Sequence, residues 1–404
     1  MNAVGIDVSK GKSMVAIMRP FGEVVVSPFE VGHTASELGK LARLLQSLDG
    51  ETRVVMEYTG NYYQPIARLL HEEGFFVSVV NAMLVHAYGN NSLRRVKTDK
   101  KDAVKLTNYA LNHWLDLPRY FPEEDIRLML KTFNRQYNQY IKIKVMQKNN
   151  LIALLDQTFP DLNKLFSSPP RKEDGREKWL DFAENFWHCE CVCGLSARAF
   201  SKRYRKWCSR YGYHFSEDKV LDIYASACGH IGLMPKTDSS ELLVKQAVKQ
   251  LQSITQTLAS IQREMQRLAA TLPEYEVVMA MYGAGPTLAP QLIAEIGDIR
   301  RFSGKKALVA FAGIDAPPYQ SGTMDMKSRS ISKRGSASLR KTLFQVMGVL
   351  LQKSPADEPV YQFMDKKRAE GKPYRVYMMA SANKFLRIYY ARVKEHLDAT
   401  ETLK

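Results

Sequence analysis

Through the first 115 residues the chain switches between two periodicities in an order that few folds accept. Ala3–Val8, Ser13–Met18 and Glu23–Val31 are short β-type runs, parted by turn material at Lys10-Gly11-Lys12 and Pro20-Phe21-Gly22, and they predict a three-stranded meander. Ala35–Leu48 then sets Leu38, Leu41, Leu44 and Leu45 at helical spacing. Arg53–Tyr58 reads as a strand and Tyr62–Glu73 as a helix. Phe75–Val80 follows as a buried-type strand, and Asp99–Leu111 as another helix. The order βββαβαβα predicts an α/β domain of ribonuclease-H type over residues 1–118.

The rest of the chain reads as helical. Residues 119–165 form a segment rich in Lys, Arg, Gln and Asn, and a Pro-rich charged loop follows at Ser167–Glu177. Residues 166–238 carry little readable pattern and stand as a basic, aromatic insertion of open fold. Across 239–272 the apolar residues Val244, Val248, Leu251, Ile254, Leu258, Ile261, Met265, Leu268 and Leu272 recur at steps of three and four. That is a coiled-coil-like seam, which a neighbouring helix of the same chain would satisfy equally well. Residues 273–404 predict a mainly α domain, with a Gly-rich turn at Tyr282–Ala289 that fits either a phosphate-binding helix-hairpin-helix or an ordinary connection.

Four acids fall where the pattern makes them costly. Asp7 ends the first apolar strand and Glu57 ends Val54-Val55-Met56-Glu57, so each carboxylate meets a desolvation penalty. Asp99 and Asp102 are three apart at the start of a helix, hence on one face. In a ribonuclease-H-like sheet the first and fourth strands are neighbours, so Asp7 and Glu57 converge with the helix pair opposite. Gathered acids repel one another unless a cation binds, and hard oxygen ligands suit Mg²⁺ or Mn²⁺. Two such ions serve phosphodiester cleavage. Taken singly, Asp99 also fits a helix-dipole role and Asp102 a solvated face.

Charge points to the partner. Lys and Arg number 58 against 42 Asp and Glu, a formal charge of +16. A polyanion offsets that excess; nucleic acid is the first candidate, ahead of an anionic membrane surface, and no run is long and apolar enough to span a bilayer. Between Lys327 and Lys341 stand six cations and no acid: Lys327, Arg329, Lys333, Arg334, Arg340 and Lys341. Such a strip would neutralise phosphates. In the insertion, Arg203, Arg205 and Lys206 interleave with Tyr204, Trp207, Tyr211 and Tyr213. That composition fits an RNA-loop or single-strand binder, or else an amphipathic helix that covers a core. His188, Cys189, Cys191, Cys193 and Cys208 are candidate zinc ligands, but they lack the paired spacing of a zinc site, and buried or incidental thiols are the other reading. With no basic-then-apolar leader, a reduced, cytoplasmic protein is expected. Ser321, in Pro317-Pro318-Tyr319-Gln320-Ser321-Gly322, is by composition one turn serine among several.

The pieces Gly5-Ile6-Asp7-Val8-Ser9-Lys10, Met56-Glu57-Tyr58-Thr59-Gly60, Lys97-Thr98-Asp99-Lys100-Lys101-Asp102-Ala103, and Phe311-Ala312-Gly313 through Ser332-Lys333-Arg334-Gly335 occur in one order. In this the chain resembles the IS110/IS1111 family of DEDD transposases, which includes Piv-type DNA invertases. The likeness covers roughly residues 1–160 and 240–400; residues 165–235 look like an insertion, and Tyr58 stands where Ala is common. The resemblance implies a RuvC-like domain with Asp7, Glu57, Asp99 and Asp102 as its Mg²⁺-binding acids, and a C-terminal transposase domain whose nucleophile corresponds to Ser321. It further implies double-stranded DNA as substrate, a homo-oligomer (dimer or tetramer), a bacterial, nucleoid-associated location and, in several members, a non-coding bridge RNA that selects the DNA. A site-specific invertase of the same family, a hydrolytic RuvC-like nuclease and a non-catalytic nucleic-acid binder remain alternatives.

Overall fold

The computed structural model describes residues 1–58, 60–88, 98–171, 175–317, 320–321, 324–325 and 330–402. It divides into two compact units, Met1–Glu124 and Asp125–Lys404.

The first unit is a mixed five-stranded sheet with helices on both faces. β1 (Asn2–Val8), β2 (Lys12–Met18) and β3 (Val24–Gly32) form the meander, followed by α1 (Ala35–Gln46), β4 (Thr52–Glu57), α2 (Gln64–Glu72), β5 (Phe76–Val80), α3 (Ala82–Tyr88) and α4 (Asp99–Asn112). The sheet order is β3-β2-β1-β4-β5; β1, β4 and β5 are parallel and β2 is antiparallel to its neighbours. The α/β reading of this region is borne out. Strand alternation separates two cores. Val4, Ile6, Val54 and Met56 face α1 and α2, while Ala3 and Val55 join Leu106, Tyr109 and Ala110 of α4 on the other side. Thr98 caps α4, its side chain accepting from the Lys101 N–H.

The second unit is helical. α5 (Asp125–Thr158) and α10 (Asp238–Ala269) are long, and between them come α6 (Lys178–Asn185), α7 (Glu190–Cys193), α8 (Ala197–Tyr211) and α9 (Glu217–Gly229). α11 (Tyr275–Met279), α12 (Gly285–Ile296), α13 (Lys305–Ala312), the short strands β6 (Gln320–Ser321) and β7 (Met324–Asp325), α14 (Ala337–Lys353), α15 (Pro359–Ala369) and α16 (Tyr374–Thr402) complete it. The seam of α10 packs on α5 of the same chain. Leu130 shares a core with Met265 and Leu268, whereas Leu151 and Leu155 share another with Val244 and Leu251, so the two helices run antiparallel.

Residues 166–238 turn out to be a helical cluster seated on the α5 C-terminal half and the α10 N-terminal half. Its aromatics are the core. Phe200, Tyr204 and Trp207 are buried, with the Tyr204 and Trp207 rings stacked at 5.5 Å. In the other core, Arg127 and Glu274 form a buried bidentate pair. Breaking it would cost about 3–5 kcal/mol, since the survivor would be a charge left in the interior. Among the described residues no helix is long and apolar enough to cross a membrane.

Candidate active site

In the parallel ladder Ile6 lies opposite Met56, and one residue further each strand carries its acid, Asp7 and Glu57. Both belong to the alternation set that contains Ala3, Gly5 and Val55, and therefore face α4. Helix α4 crosses that face antiparallel to β1. Its start lies by the β1–β2 turn: the Lys12 ammonium is held above its ordinary range mainly by its 2.7 Å pair with Glu30, and to a lesser degree by Asp99. Its middle rests on Gly5, where a Cβ would stand 2.6 Å from the Thr107 nitrogen. The Thr107 hydroxyl donates to the Ala103 carbonyl at 2.8 Å and stands 3.3 Å from the Ala16 carbonyl. Beyond its end, the Trp114 carbonyl accepts from Arg53, at the opposite end of the sheet.

The first turn of α4, with Asp99 and Asp102, therefore reaches the sheet end where Asp7 and Glu57 finish their strands. Asp7, Glu57 and Asp102 are half-buried, and Asp99 is exposed. Their donor chemistry, oxygen only, fits a hard divalent cation. The four are not closed into a ligand set, since among the described residues no three or more His, Cys, Asp or Glu side chains are grouped tightly enough to hold a metal.

In the second unit the main chain of Ser321 pairs with Met324 across a two-strand ladder. The segments that lead into and out of this stretch are joined by main-chain hydrogen bonds. Ser332 N–H donates to the Asp315 carbonyl at 2.8 Å, Lys333 N–H to Gly313 at 3.0 Å, and Ser336 N–H to Phe311 at 2.8 Å. The close approach needs glycine: Gly313 has φ +65, and a Cβ there would lie 2.7 Å from Arg340 Nη1. Ser336 also donates to Glu295 Oε2 at 3.0 Å, and Glu295 Oε1 accepts from Asn134 at 2.9 Å, which ties this stem to α12 and α5. Glu295 and Asn134 are buried polar residues whose part only the packing discloses.

The expected basic residues divide by environment. Lys327 and Arg329 lie outside the described residues. Lys333 and Arg334 are exposed, Lys333 in the left-handed region at φ 54. Lys341 is exposed as a residue, but its ammonium is partly desolvated where it donates to Asn138 Oδ1 at 2.6 Å; that desolvation and then the neighbouring Lys142 hold it below the ordinary lysine range. Arg340 instead donates to the carbonyls of Ala312 at 3.0 Å and Gly335 at 3.4 Å. In the insertion, Arg205 pairs with Glu217 at 2.8 Å, Arg203 lies over Phe186 at 5.1 Å, and Lys206 is exposed.

Tyr204 and Trp207 face the core rather than solvent, and the half-buried Tyr211 and Tyr213 stack near Trp207, so the amphipathic-helix reading of the insertion is the one the packing favours. His188 has both ring nitrogens engaged: Nδ1 accepts from Glu190 N–H at 3.1 Å, so Nε2 donates to the Met234 carbonyl at 3.0 Å. Of the Gly-rich turn, Gly283 has φ +85 and is packed against Val346, as in a helix connection.

Residues 4–160 match the IS110-type DEDD transposase model, and residues 275–362 match the model described as the transposase IS116/IS110/IS902 family. The chain is 24% identical over 344 residues to the pilin gene-inverting protein of Moraxella bovis, across 85% of this chain and 80% of that protein. It is 24% identical over 351 residues to the pilin gene-inverting protein of Moraxella lacunata, across 85% and 80%. A 44.8 kDa protein of insertion element IS116 from Streptomyces clavuligerus is 23% identical over 396 residues, across 97% and 94%. A sheet domain and a helical domain that match these two models in order define a transposase. The chain belongs to the IS110 family.

Proposed function

We propose that this transposase cuts and rejoins DNA through a covalent phosphoserine intermediate on Ser321, with Asp7, Glu57, Asp99 and Asp102 as the acidic half of the machinery. The observation that carries the acidic half is the register of β1 against β4, which brings two strand-ending carboxylates side by side beneath the start of α4. Ser321 is carried by the resemblance and supported by its position at the end of a short strand on a zipped stem.

The chemistry balances without an external energy source. The Ser321 oxygen attacks the phosphorus, the P–O bond to the departing strand breaks, and the serine proton leaves to solvent or base while the departing oxygen takes one up. In rejoining, an incoming hydroxyl attacks the same phosphorus and the serine oxygen leaves with a proton. One phosphodiester is exchanged for another at each step. Mg²⁺ or Mn²⁺, held by the four acids, would supply Lewis-acid stabilisation of the phosphoryl charge. Lys333, Arg334 and Lys341 would hold DNA phosphates, and Arg203 and Lys206 those of DNA or of a bridge RNA that selects the sites. The protein acts as a homo-oligomer on this reading. Inversion, the activity for which the Moraxella relatives are named, is the same chemistry with a different arrangement of sites.

The test is to incubate the protein with its flanking DNA and Mg²⁺ and to map any denaturant-resistant adduct. An adduct on Ser321 that disappears in Asp7→Ala is expected, and RNase treatment of the purified protein should abolish its formation. Free cut ends with no adduct would instead assign a hydrolytic nuclease. Cutting that survives Asp7→Ala would remove the acids from the mechanism.

A further inference from the structure

Beside Glu57 the chain presents aromatic surface that strand cleavage does not use. Tyr58 follows the last residue of β4, and its N–H still donates to the Val80 carbonyl at 2.9 Å, so its backbone is fixed at the sheet end. Its side chain is 51% exposed, and Tyr62, beyond the turn at Gly60, is 47% exposed. Tyr63 is buried, and its ring backs Tyr58 with centroids 5.2 Å apart. Tyr63 in turn meets Tyr120 at 6.4 Å, so Tyr58 rests on an aromatic row anchored in the core.

A single exposed apolar side chain is ordinary. Here two large neutral rings flank the turn that follows the acid proposed to handle the scissile phosphate, and one is held rigid from behind. A neutral aromatic face offers nothing to a phosphate and much to an unstacked base. Further along the row the charge is mixed: Arg68, Glu123 and Glu72 all lie beside Tyr120, and Arg68 pairs with Glu72 at 3.0 Å, so the exposed aromatic face free of such a pair is at the Tyr58 end. A base lies one sugar away from its phosphate, so a phosphate at Glu57 brings its neighbouring bases to the residues next to Glu57.

We infer that Tyr58, with Tyr62 beside it, stacks an unpaired base of the DNA strand next to the cleaved phosphodiester. This rests on the proposed function for the location of the scissile phosphate.

The full-length protein, in EDTA so that no cleavage occurs, is titrated with single-stranded oligonucleotides carrying 2-aminopurine at successive positions around the mapped cut, and with the matched duplex. Wild type and Tyr58→Phe should quench one position strongly in the single strand, and Tyr58→Ala should lose that quenching and bind about tenfold more weakly. Because the lost contact is not to phosphate, the salt dependence of binding should be unchanged. Tyr62→Ala should give a smaller loss at the same or the adjacent base. Equal quenching by Tyr58→Ala, or a loss accompanied by a flatter salt dependence, overturns the inference. The binding readout needs neither metal nor Ser321. An absent serine adduct would sink the covalent mechanism while leaving this result to stand or fall separately.

Discussion

Gly5 lies so close beneath Thr107 that a side-chain carbon on it would stand 2.6 Å from the Thr107 main-chain nitrogen. The neighbour is helix backbone, which cannot yield by changing a rotamer, so α4 would have to rise off the sheet. Gly5→Ala should cost about 2 kcal/mol of unfolding free energy, as overpacking does. It should also lower DNA cleavage by more than that loss of folded protein explains, because Asp99 and Asp102 move with the helix. Urea unfolding alongside cleavage rates checks both. Full cleavage by a folded Gly5→Ala protein would separate the α4 acids from the reaction.

The first unit was legible because strands buried on both faces show as short, continuous apolar runs, and because turn residues punctuate them. Val54-Val55-Met56-Glu57 announces both the strand and the acid at its end. What the pattern left out was α3, a short helix without a long apolar stripe. In the insertion, interleaved cations and aromatics read equally as a nucleic-acid surface and as an amphipathic helix. Phe200, Tyr204, Trp207 and Tyr211 are spaced by four, three and four, and that spacing turns them inward while Arg203, Lys206 and Arg210 stay outside. Counting the period would have decided it. Arg340 could not be told from Lys341 by sequence, since only the fold brings the carbonyls of Ala312 and Gly335 to its guanidinium.

The acids should reveal a cation by stability as well as by activity. Four carboxylates at one end of a sheet repel, so a divalent ion that binds the folded state raises its melting temperature by mass action. Wild-type protein should melt higher in millimolar Mn²⁺ than in EDTA. Asp7→Asn and Glu57→Gln should lose that increment, retain DNA binding and lose cleavage by at least two orders of magnitude. An unchanged Mn²⁺ increment in Asp7→Asn would place the ion elsewhere.

The cysteines should behave as structural thiols. Burial pushes Cys189 from its ordinary 9.0 up to about 11, and burial raises Cys191 and Cys208 as well, whereas Cys228 is exposed. The thiolate is the nucleophile, so at pH 8 iodoacetamide should label Cys228 first and Cys189 only when the protein opens. Below pH 9 both folded and unfolded thiols are protonated and Cys189 adds no pH dependence. Between 9 and 11 only the unfolded chain ionises, so stability should fall as pH rises through that window. Rapid native labelling of Cys189 would contradict its burial.

Neighbouring cations at the start of α14 should separate binding from folding. Lys333 and Arg334 lie exposed just before the helix, and Lys341, exposed beside Lys142, gives only one of its three ammonium protons to Asn138, so each can meet a phosphate. Arg340 instead satisfies two main-chain carbonyls where the stem of the Ser321 segment closes. Lys333→Gln, Arg334→Gln and Lys341→Gln should each weaken DNA binding across sequences and flatten log Kd against log salt by about one unit, with little change in stability. Arg340→Ala should leave that slope nearly intact and destabilise the protein by about 1–3 kcal/mol, the cost of leaving the carbonyls without their charged donor. Measuring Kd from 50 to about 200 mM salt beside urea unfolding distinguishes the two roles. A flattened slope in Arg340→Ala without loss of stability would return Arg340 to the DNA-binding strip.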